Sequence, residues 1–183
     1  MAKKKPQTPN PGTKPPASAS ASCILPSLLY LAPASTTSNT PFLQHHGITH
    51  VLSIGKSPAS HLPGITYLRL PLTDTPSSPI KATIDKACEF IDAAAASNGR
   101  VLLHCSAAIS RSPAVVAGYL IKRRGMTLRE SLELLVGVRA VVAPNRGFLR
   151  QLGEMEREVF GGEGTFDVEG WAVGVKLGAY LRV

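Results

Sequence analysis

The chain has 183 residues, a formal net charge of +8, 44% hydrophobic residues and 17% charged residues. This length and composition predict one globular domain around a single core and exclude a wholly disordered chain. No uninterrupted apolar stretch approaches the roughly 18 residues of a membrane span, and the first residues lack the apolar core of a secretory signal. We therefore expect an intracellular protein, cytoplasmic or nuclear, with no membrane partner.

The positive charge is concentrated near the N-terminus. Lys3, Lys4, Lys5 and Lys14 carry +4 of the net charge of +8, in a segment without acidic residues, so the remainder is only mildly basic. Aromatic residues make up 5% of the chain, which does not indicate the basic face with stacking rings that is typical of nucleic-acid binders. No nucleic-acid partner is expected, and residues 1–22, rich in Lys, Pro, Ser and Ala, are interpreted as a disordered tail.

From Cys23 onward, short apolar segments alternate with amphipathic ones. The wholly apolar run at residues 101–103 is typical of a strand at the buried centre of a parallel sheet. The alternation predicts an α/β fold with a central, mostly parallel twisted sheet flanked by helices. Strands are predicted over residues 24–31, 50–54, 65–70 and 101–103, and helices open at Thr40-Pro41, Pro79, Ser112-Pro113, Thr127 and Asn145.

Three of these helices carry clear N-terminal signals. Ser112-Pro113 forms an N-cap and first-turn pair for a helix that Gly125 ends. Thr127 with Glu130 matches a capping box, and Asn145 is the predicted cap of the last helix. That last helix has one apolar face, made of Phe148, Leu149, Leu152, Met155 and Val159.

The segment with the strongest chemical signal is HCSAAISRSP, residues 104–113, between the buried strand and the start of a helix. A loop that enters a helix points backbone N–H groups inward, and the helix dipole adds partial positive charge, so it can hold a phosphate. Arg111 can pair bidentately with two phosphate oxygens. In this field the thiol of Cys105 is expected to ionise below its ordinary pKa and to act as a nucleophile.

The other two cysteines have no such surroundings. The commoner role of a lone Cys is that of a small buried core residue, and we assign this role to Cys23 and Cys88. For Cys105 a core role would explain neither the arginine six residues later nor the helix start that follows. The three cysteines are widely spaced and contain no CxxC pair, so neither a disulfide framework nor a metal site is predicted.

The pattern Cys-x5-Arg, flanked by His104 and by Ser110-Arg111-Ser112, resembles the signature of cysteine-dependent protein tyrosine phosphatases, in their dual-specificity subgroup. The likeness extends over residues 23–160, which we interpret as the catalytic domain. It implies a protein-tyrosine-phosphatase-like fold. It also implies an enzyme that hydrolyses phosphotyrosine and phosphoserine or phosphothreonine without a cofactor or metal. The matching motifs outside the loop are Leu28-Leu29-Tyr30-Leu31, Gly47-Ile48-Thr49-His50-Val51-Leu52, Tyr67-Leu68-Arg69-Leu70 and Pro144-Asn145-Arg146-Gly147-Phe148.

The resemblance also implies roles for individual residues. Cys105 would form a phosphocysteine intermediate, Arg111 would bind the phosphate, and His104 would tune the thiolate. Ser112 matches the hydroxyl that helps the thiolate leave when water hydrolyses the intermediate. Asp74, 31 residues before the cysteine, matches the acid that protonates the leaving group.

The rest of the loop is implied to bind the substrate phosphate. Asn145 matches a position that steadies this loop, in addition to its capping role. The implied phosphate-binding residues are Ser106, Ala107, Ala108, Ile109, Ser110 and Arg111.

Ala108 departs from the family pattern, which has glycine there to allow close backbone approach. This keeps open an alternative, a weak or inactive relative that binds phosphoproteins as an interaction module. A third reading, a rhodanese-like sulfur carrier, leaves Asp74 unexplained. The loop has no lysine between Cys105 and Arg111, as lipid-directed relatives tend to have, so the expected partner is a phosphoprotein substrate. The oligomeric state and the form of residues 161–183 (disordered tail, added strand or partner-docking segment) stay open.

Overall fold

A computed structural model describes residues 20–58, 60–172 and 175–182, so most of the predicted tail, residues 1–19, lies outside the described residues. The described chain contains a five-stranded sheet with the order β1-β2-β5-β3-β4. β1 pairs antiparallel with β2, and the other neighbours are parallel. The predicted α/β fold with a mostly parallel sheet is confirmed. The strands are β1 Ser22–Leu25, β2 Leu29–Pro33, β3 His50–Ile54, β4 Thr66–Leu70 and β5 Val101–Cys105.

The helices cover both faces of this sheet. One face packs against a bundle in which α3 contacts α2, α4 and α5, and the other face packs against the short helix α1. The helices are α1 Thr40–His45, α2 Lys81–Ala96, α3 Arg111–Arg124, α4 Leu128–Val138, α5 Arg146–Phe160 and α6 Leu177–Tyr180, with a 3₁₀ helix at Ala34–Ser38. Among the residues described, no helix is long and apolar enough to cross a bilayer.

The central strand β5 is buried along its whole length, as its apolar run predicted. Leu102 belongs to the core cluster on the α1 side, whereas Val101 and Leu103 belong to the cluster formed with α2 to α5. This alternation follows from the period of two residues in a strand. Because β5 is the middle strand of the sheet, its end and the loop after it lie at the centre of the carboxyl edge of the sheet.

The N-terminal strand differs from its prediction. Residues 24–31 are not one strand but parts of two, β1 and β2, joined by a tight turn in which Ser27 has φ = 63°. Pro26 cannot donate a ladder hydrogen bond, and this explains the break in a continuous apolar run. Cys23 lies on the edge strand β1 and is exposed, so its predicted core role is wrong, whereas Cys88 is buried as predicted.

The helix starts follow the sequence signals with two shifts. α2 begins at Lys81 with Ile80 as N-cap, two residues after the predicted Pro79. α3 begins at Arg111 with Ser110 as N-cap, so Ser112 lies inside the first turn and does not cap the helix. The capping box of Thr127 and Glu130 is present. Asn145 accepts a hydrogen bond from the Phe148 amide at 3.0 Å.

The segment after α5 packs on the helical face of the core. Of the predicted apolar face of α5, only Val159 is exposed, at the end of the helix. The following chain forms irregular turns and the short helix α6, with no strand among its described residues. Four of its side chains are buried in the main core: Phe166, Val168, Leu177 and Leu181.

Candidate active site

The phosphate loop, residues 106–110, connects the last residue of β5 to the first residue of α3. Cys105 is only 2% exposed and ends the central strand, and Arg111 starts the helix. The Ser112 hydroxyl donates a hydrogen bond to Cys105 Sγ at 3.1 Å. A buried parallel strand therefore delivers the thiol directly beneath the N-terminus of α3, where the helix dipole is positive.

The environment of Cys105 lowers the pKa of its thiol. Burial is the largest single influence and by itself would raise this pKa, but it is outweighed by hydrogen bonds from the Ser112 hydroxyl and from the amides of Ser112, Ala107 and Ala108. These donors all stabilise the thiolate. The site thus favours a buried anion on sulfur, which is the form that acts as a nucleophile.

Ala108 adopts a left-handed conformation. Its φ is 55° and its side chain is fully buried. Glycine populates this region freely, whereas for alanine it costs about 1 kcal/mol. The loop nevertheless keeps the Ala108 amide directed at the cysteine sulfur, so the alanine is accommodated as local strain.

Arg139 holds the loop from behind. Its side chain donates to the carbonyl oxygens of Ala107 and Ala108, both at 3.0 Å, and to the carbonyl of Ser20 at 2.9 Å. Arg139 is only 3% exposed, and burial lowers the pKa of its guanidinium. With their carbonyls turned toward Arg139, the amides of the loop are directed toward the sulfur.

Arg111 lies at the mouth of the site. Its Nη2 donates to Ser106 Oγ at 3.0 Å, and its Nε is 3.6 Å from Asp74 Oδ2. Gly55 makes room for it, because a Cβ there would lie 2.5 Å from Arg111 Nη1 and 2.8 Å from the Leu72 carbonyl oxygen. Gly55 also has φ = 80°, which other residues rarely adopt.

Asp74 is tied to the phosphate loop by hydrogen bonds. Its Oδ1 accepts from Ser110 Oγ at 2.6 Å and from Asn145 Nδ2 at 2.9 Å. The carboxylate therefore lies over the loop next to Arg111, although the two regions are 36 residues apart. An open cavity of about 560 Å³ lies at this place, lined by Gly55, Lys56, Arg69, Pro71, Leu72, Thr73, Asp74 and Arg111.

The His104 ring lies next to Cys105 and contacts the main chain of Cys105 and the side chain of Ser53. Its Nε2 is 2.7 Å from Ser53 Oγ, and its Nδ1 is 3.3 Å from the carbonyl oxygen of Cys105. The pKa of His104 is lowered, chiefly by burial. The hydrogen bond to the Cys105 carbonyl acts in the opposite direction, and the positive charge of nearby Lys56 lowers the pKa further. A neutral ring with hydrogen on Nδ1 satisfies both contacts, so any influence of His104 on the thiolate passes through the backbone of Cys105.

The structure brings the predicted residues into one place. The Ser110 hydroxyl donates to Asp74 and accepts from the Asn145 amide. The Ile109 carbonyl accepts from the Ala143 amide at 2.8 Å, and Ile109 is 40% exposed. The sequence did not indicate the supporting residues Ser53, Gly55 and Arg139. In residues 20–58, 60–172 and 175–182, no group of three His, Cys, Asp or Glu side chains could hold a metal ion.

Comparison with known proteins accounts for this arrangement. Residues 29–158 match the sequence profile of the dual specificity phosphatase catalytic domain. The chain belongs to the dual specificity phosphatase family. It is 39% identical over 131 residues to human dual specificity protein phosphatase 15, an alignment covering 72% of this chain and 44% of the relative. It is 36% identical over 133 residues to Arabidopsis thaliana dual specificity protein phosphatase 1, covering 72% of this chain and 67% of the relative.

Solved structures of dual specificity phosphatases share the fold. The structure of DUSP15 superposes with a TM-score of 0.70 at 34% identity, covering 88% of this chain and 94% of the other. A human tyrosine phosphatase-like serine/threonine/tyrosine-interacting protein superposes with a TM-score of 0.71 at 35% identity, covering 75% and 96%. The protein-tyrosine-phosphatase-like architecture predicted from the loop is thereby confirmed.

Proposed function

We propose that this protein is a cysteine-dependent dual specificity phosphatase that hydrolyses phosphotyrosine and phosphoserine or phosphothreonine in proteins. The observation that carries the proposal is the hydrogen-bonded thiol of Cys105, with the Ser112 hydroxyl 3.1 Å from its sulfur and a lowered pKa. Membership of the family gives the reaction class. Because the chain spans 44% to 67% of the length of the two relatives compared, the activity of the whole protein is part of the proposal.

The first chemical step transfers the phosphoryl group to sulfur. The Cys105 thiolate attacks phosphorus, an S–P bond forms, and the bond from phosphorus to the substrate oxygen breaks. Arg111 and the loop amides bind the phosphoryl oxygens, where charge spreads in the transition state. The departing oxygen takes a proton from the Asp74 carboxyl group, which lies beside Arg111 at the cavity.

The second step releases phosphate. Water attacks the phosphorus of phosphocysteine, the S–P bond breaks, and the Asp74 carboxylate takes the proton lost by water. The Ser112 hydroxyl, already donating to Sγ, stabilises the thiolate as it leaves. The enzyme returns to its starting state with no cofactor consumed.

The chemistry of the loop favours a phosphoprotein substrate. Between Cys105 and Arg111 the side chains are small or apolar, with no lysine to bind a second phosphate deep in the pocket. Positive charge lies instead at the rim of the cavity, on Lys56 and Arg69. A nucleophilic thiolate needs a reducing environment, so the proposal includes an intracellular location.

The competing readings explain fewer of these features. An inactive phosphoprotein-binding relative draws support from the strained Ala108. It gives no reason for the thiolate-stabilising donors or for the three contacts that fix Asp74 near the loop. A rhodanese-like sulfur carrier likewise has no use for the acid.

The test measures phosphate release from phosphotyrosine and phosphothreonine peptides and from phosphoinositides. The wild-type protein is expected to hydrolyse the peptides, Cys105→Ser to be inactive, and Asp74→Asn to lose about 100-fold or more in kcat/KM for the peptides. Cys23→Ser, which changes an exposed cysteine, is the matched control and should keep full activity. Turnover of lipids alone would contradict the substrate class, and unchanged activity in Cys105→Ser would contradict the mechanism.

A further inference from the structure

The chain after α5 forms a structure that the family profile, which ends at residue 158, does not include. We call it the C-terminal strap, residues 161–172 and 175–182. A buried carboxylate fixes it: Glu156, 2% exposed, accepts from the Thr165 amide at 2.9 Å, the Thr165 hydroxyl at 2.6 Å and the Leu128 amide at 2.7 Å. At its far end, Arg129 Nη2 donates to the Leu181 carbonyl at 2.9 Å. The strap is thus an integral layer of the fold.

The middle of the strap binds the first two turns of α5. Arg150 Nε donates to Glu169 Oε1 at 2.8 Å, and Arg146 Nη1 is 4.0 Å from Glu169 Oε2. Arg146 also donates to the Trp171 carbonyl oxygen, and its guanidinium carbon is 6.0 Å from the centre of the Trp171 ring. Arg146 and Arg150 are four residues apart and share one side of the helix.

The neighbouring side of the same two turns holds the acid loop, residues 71–80, which carries Asp74. Gln151 accepts from the Ile80 amide at 3.0 Å and donates to the Ser78 carbonyl at 2.9 Å. Gly147 touches the main chain of Pro76 so closely that a Cβ would overlap it. Asn145, the N-cap of α5, donates directly to Asp74 at 2.9 Å.

We propose that the C-terminal strap positions the general acid Asp74 through the first two turns of α5, with Arg146 as the positioning residue that joins strap to helix. This proposal rests on the proposed function, in which Asp74 protonates the leaving oxygen. Arg146 does not itself line the cavity, and among the described residues its side chain makes polar contacts with Trp171 and Glu169 of the strap. Glu169, which pairs with both arginines, is 66% exposed, so these ion pairs add little to stability and we expect their loss to leave the protein folded while it displaces the acid loop.

A poorly placed acid has a kinetic signature that depends on the leaving group. Phenolate, like the tyrosyl oxygen with its ordinary pKa of about 10, is basic and needs a proton as it departs. Nitrophenolate is a weaker base and leaves almost unaided. Displacement of Asp74 therefore slows hydrolysis of phenyl phosphate more than that of 4-nitrophenyl phosphate, whereas damage to Cys105 or to phosphate binding slows both equally.

The test measures kcat/KM for both esters with the full chain. Arg146→Ala is expected to lower the value for phenyl phosphate about tenfold and for 4-nitrophenyl phosphate less than about threefold. Arg123→Ala removes an exposed arginine that pairs with Asp92 of α2 at 2.7 Å, and is the matched control with no change expected in either value. In an Asp74→Asn background, Arg146→Ala is expected to have no further effect, because both act through one carboxyl group.

A second measurement does not depend on activity. Hydrogen–deuterium exchange at residues 71–80 is expected to be faster in Arg146→Ala than in the wild type and unchanged in Arg123→Ala. An equal fall for both esters, a further loss in the Asp74→Asn background, or unchanged exchange in the acid loop would overturn the proposal. If the wild-type protein hydrolyses neither ester while exchange still rises, the proposed function fails and the coupling between strap and acid loop stands.

Discussion

At the scale of single residues, Ala108 is where the sequence departs from its family and where the structure shows strain. Its φ of 55° predicts that Ala108→Gly stabilises the protein by about 1 kcal/mol, because glycine adopts this conformation freely. Since the loop amides already face Cys105, we expect kcat/KM to change by less than about threefold.

Urea unfolding measures this effect. Ser27→Gly is the matched control, since Ser27 has φ = 63° in an exposed turn far along the chain from the loop, and it should gain stability with no change in activity. A less stable Ala108→Gly protein would show that packing of the buried methyl group outweighs the backbone strain.

Ser112 is the second residue with a separable effect. Its hydroxyl donates to Cys105 and lowers the pKa of the thiol, so Ser112→Ala should raise that pKa. Because the thiolate is the reactive form, the pH midpoint of Cys105 alkylation by iodoacetamide should move to higher pH in the variant. For both proteins the rate falls as pH falls through the pKa of the thiol. An unchanged midpoint would mean that the backbone amides alone set this pKa.

At the scale of elements, the strand β5, the loop and the helix α3 could be predicted from consecutive residues. A short apolar run, a Cys-x5-Arg spacing and a Gly125 stop are local signals. The parts that support the loop come from elsewhere: Arg139 lies 31 residues after Ala108, and Ser53 lies 51 residues before His104. Helical and strand periodicity indicate which face is buried, but they do not identify a polar partner on another element.

Arg139 gives a prediction at this scale. Arg139→Met removes the donors to the carbonyls of Ala107 and Ala108, at a cost of about 1–3 kcal/mol for the buried Ala108 carbonyl that is left without a partner. We expect the loop amides to turn away from the phosphate position and the inhibition constant of inorganic phosphate to rise by about tenfold or more. Arg123→Met, at an exposed arginine, is the control. Unchanged phosphate inhibition would show that the loop holds its shape alone.

At the scale of the whole molecule, the sequence predicted the α/β class, the buried central strand and the order of most elements. It was wrong about residues 24–31, and it left the form of residues 161–183 open. The 24–31 run was mistaken for one strand because periodicity does not reveal a turn centred on Pro26-Ser27. The described residues after α5 show no clear period because most of them lie in irregular turns, and their positions depend on contacts such as Thr165 with Glu156.

Glu156 tests how far the C-terminal strap supports the fold. Glu156→Ala leaves the amides of Leu128 and Thr165 without their acceptor and should lower the free energy of unfolding by about 3 kcal/mol. Glu158, two residues later, is 59% exposed and serves as the control. Glu158→Ala should change the free energy of unfolding by less than about 0.5 kcal/mol. Equal stabilities in urea unfolding would show that the strap contributes nothing to global stability.

The central claim is that Cys105 carries the phosphoryl group during turnover. The most direct measurement uses the Ser112→Ala variant, in which we expect hydrolysis of the intermediate to be slowed. The variant is mixed with a phosphotyrosine peptide and quenched in acid, and phosphate is located by mass spectrometry. We expect phosphate on the peptide that contains Cys105, and none when Cys105 is also changed to serine. Turnover of the phosphopeptide without phosphate on Cys105, or with phosphate on another residue, would contradict it.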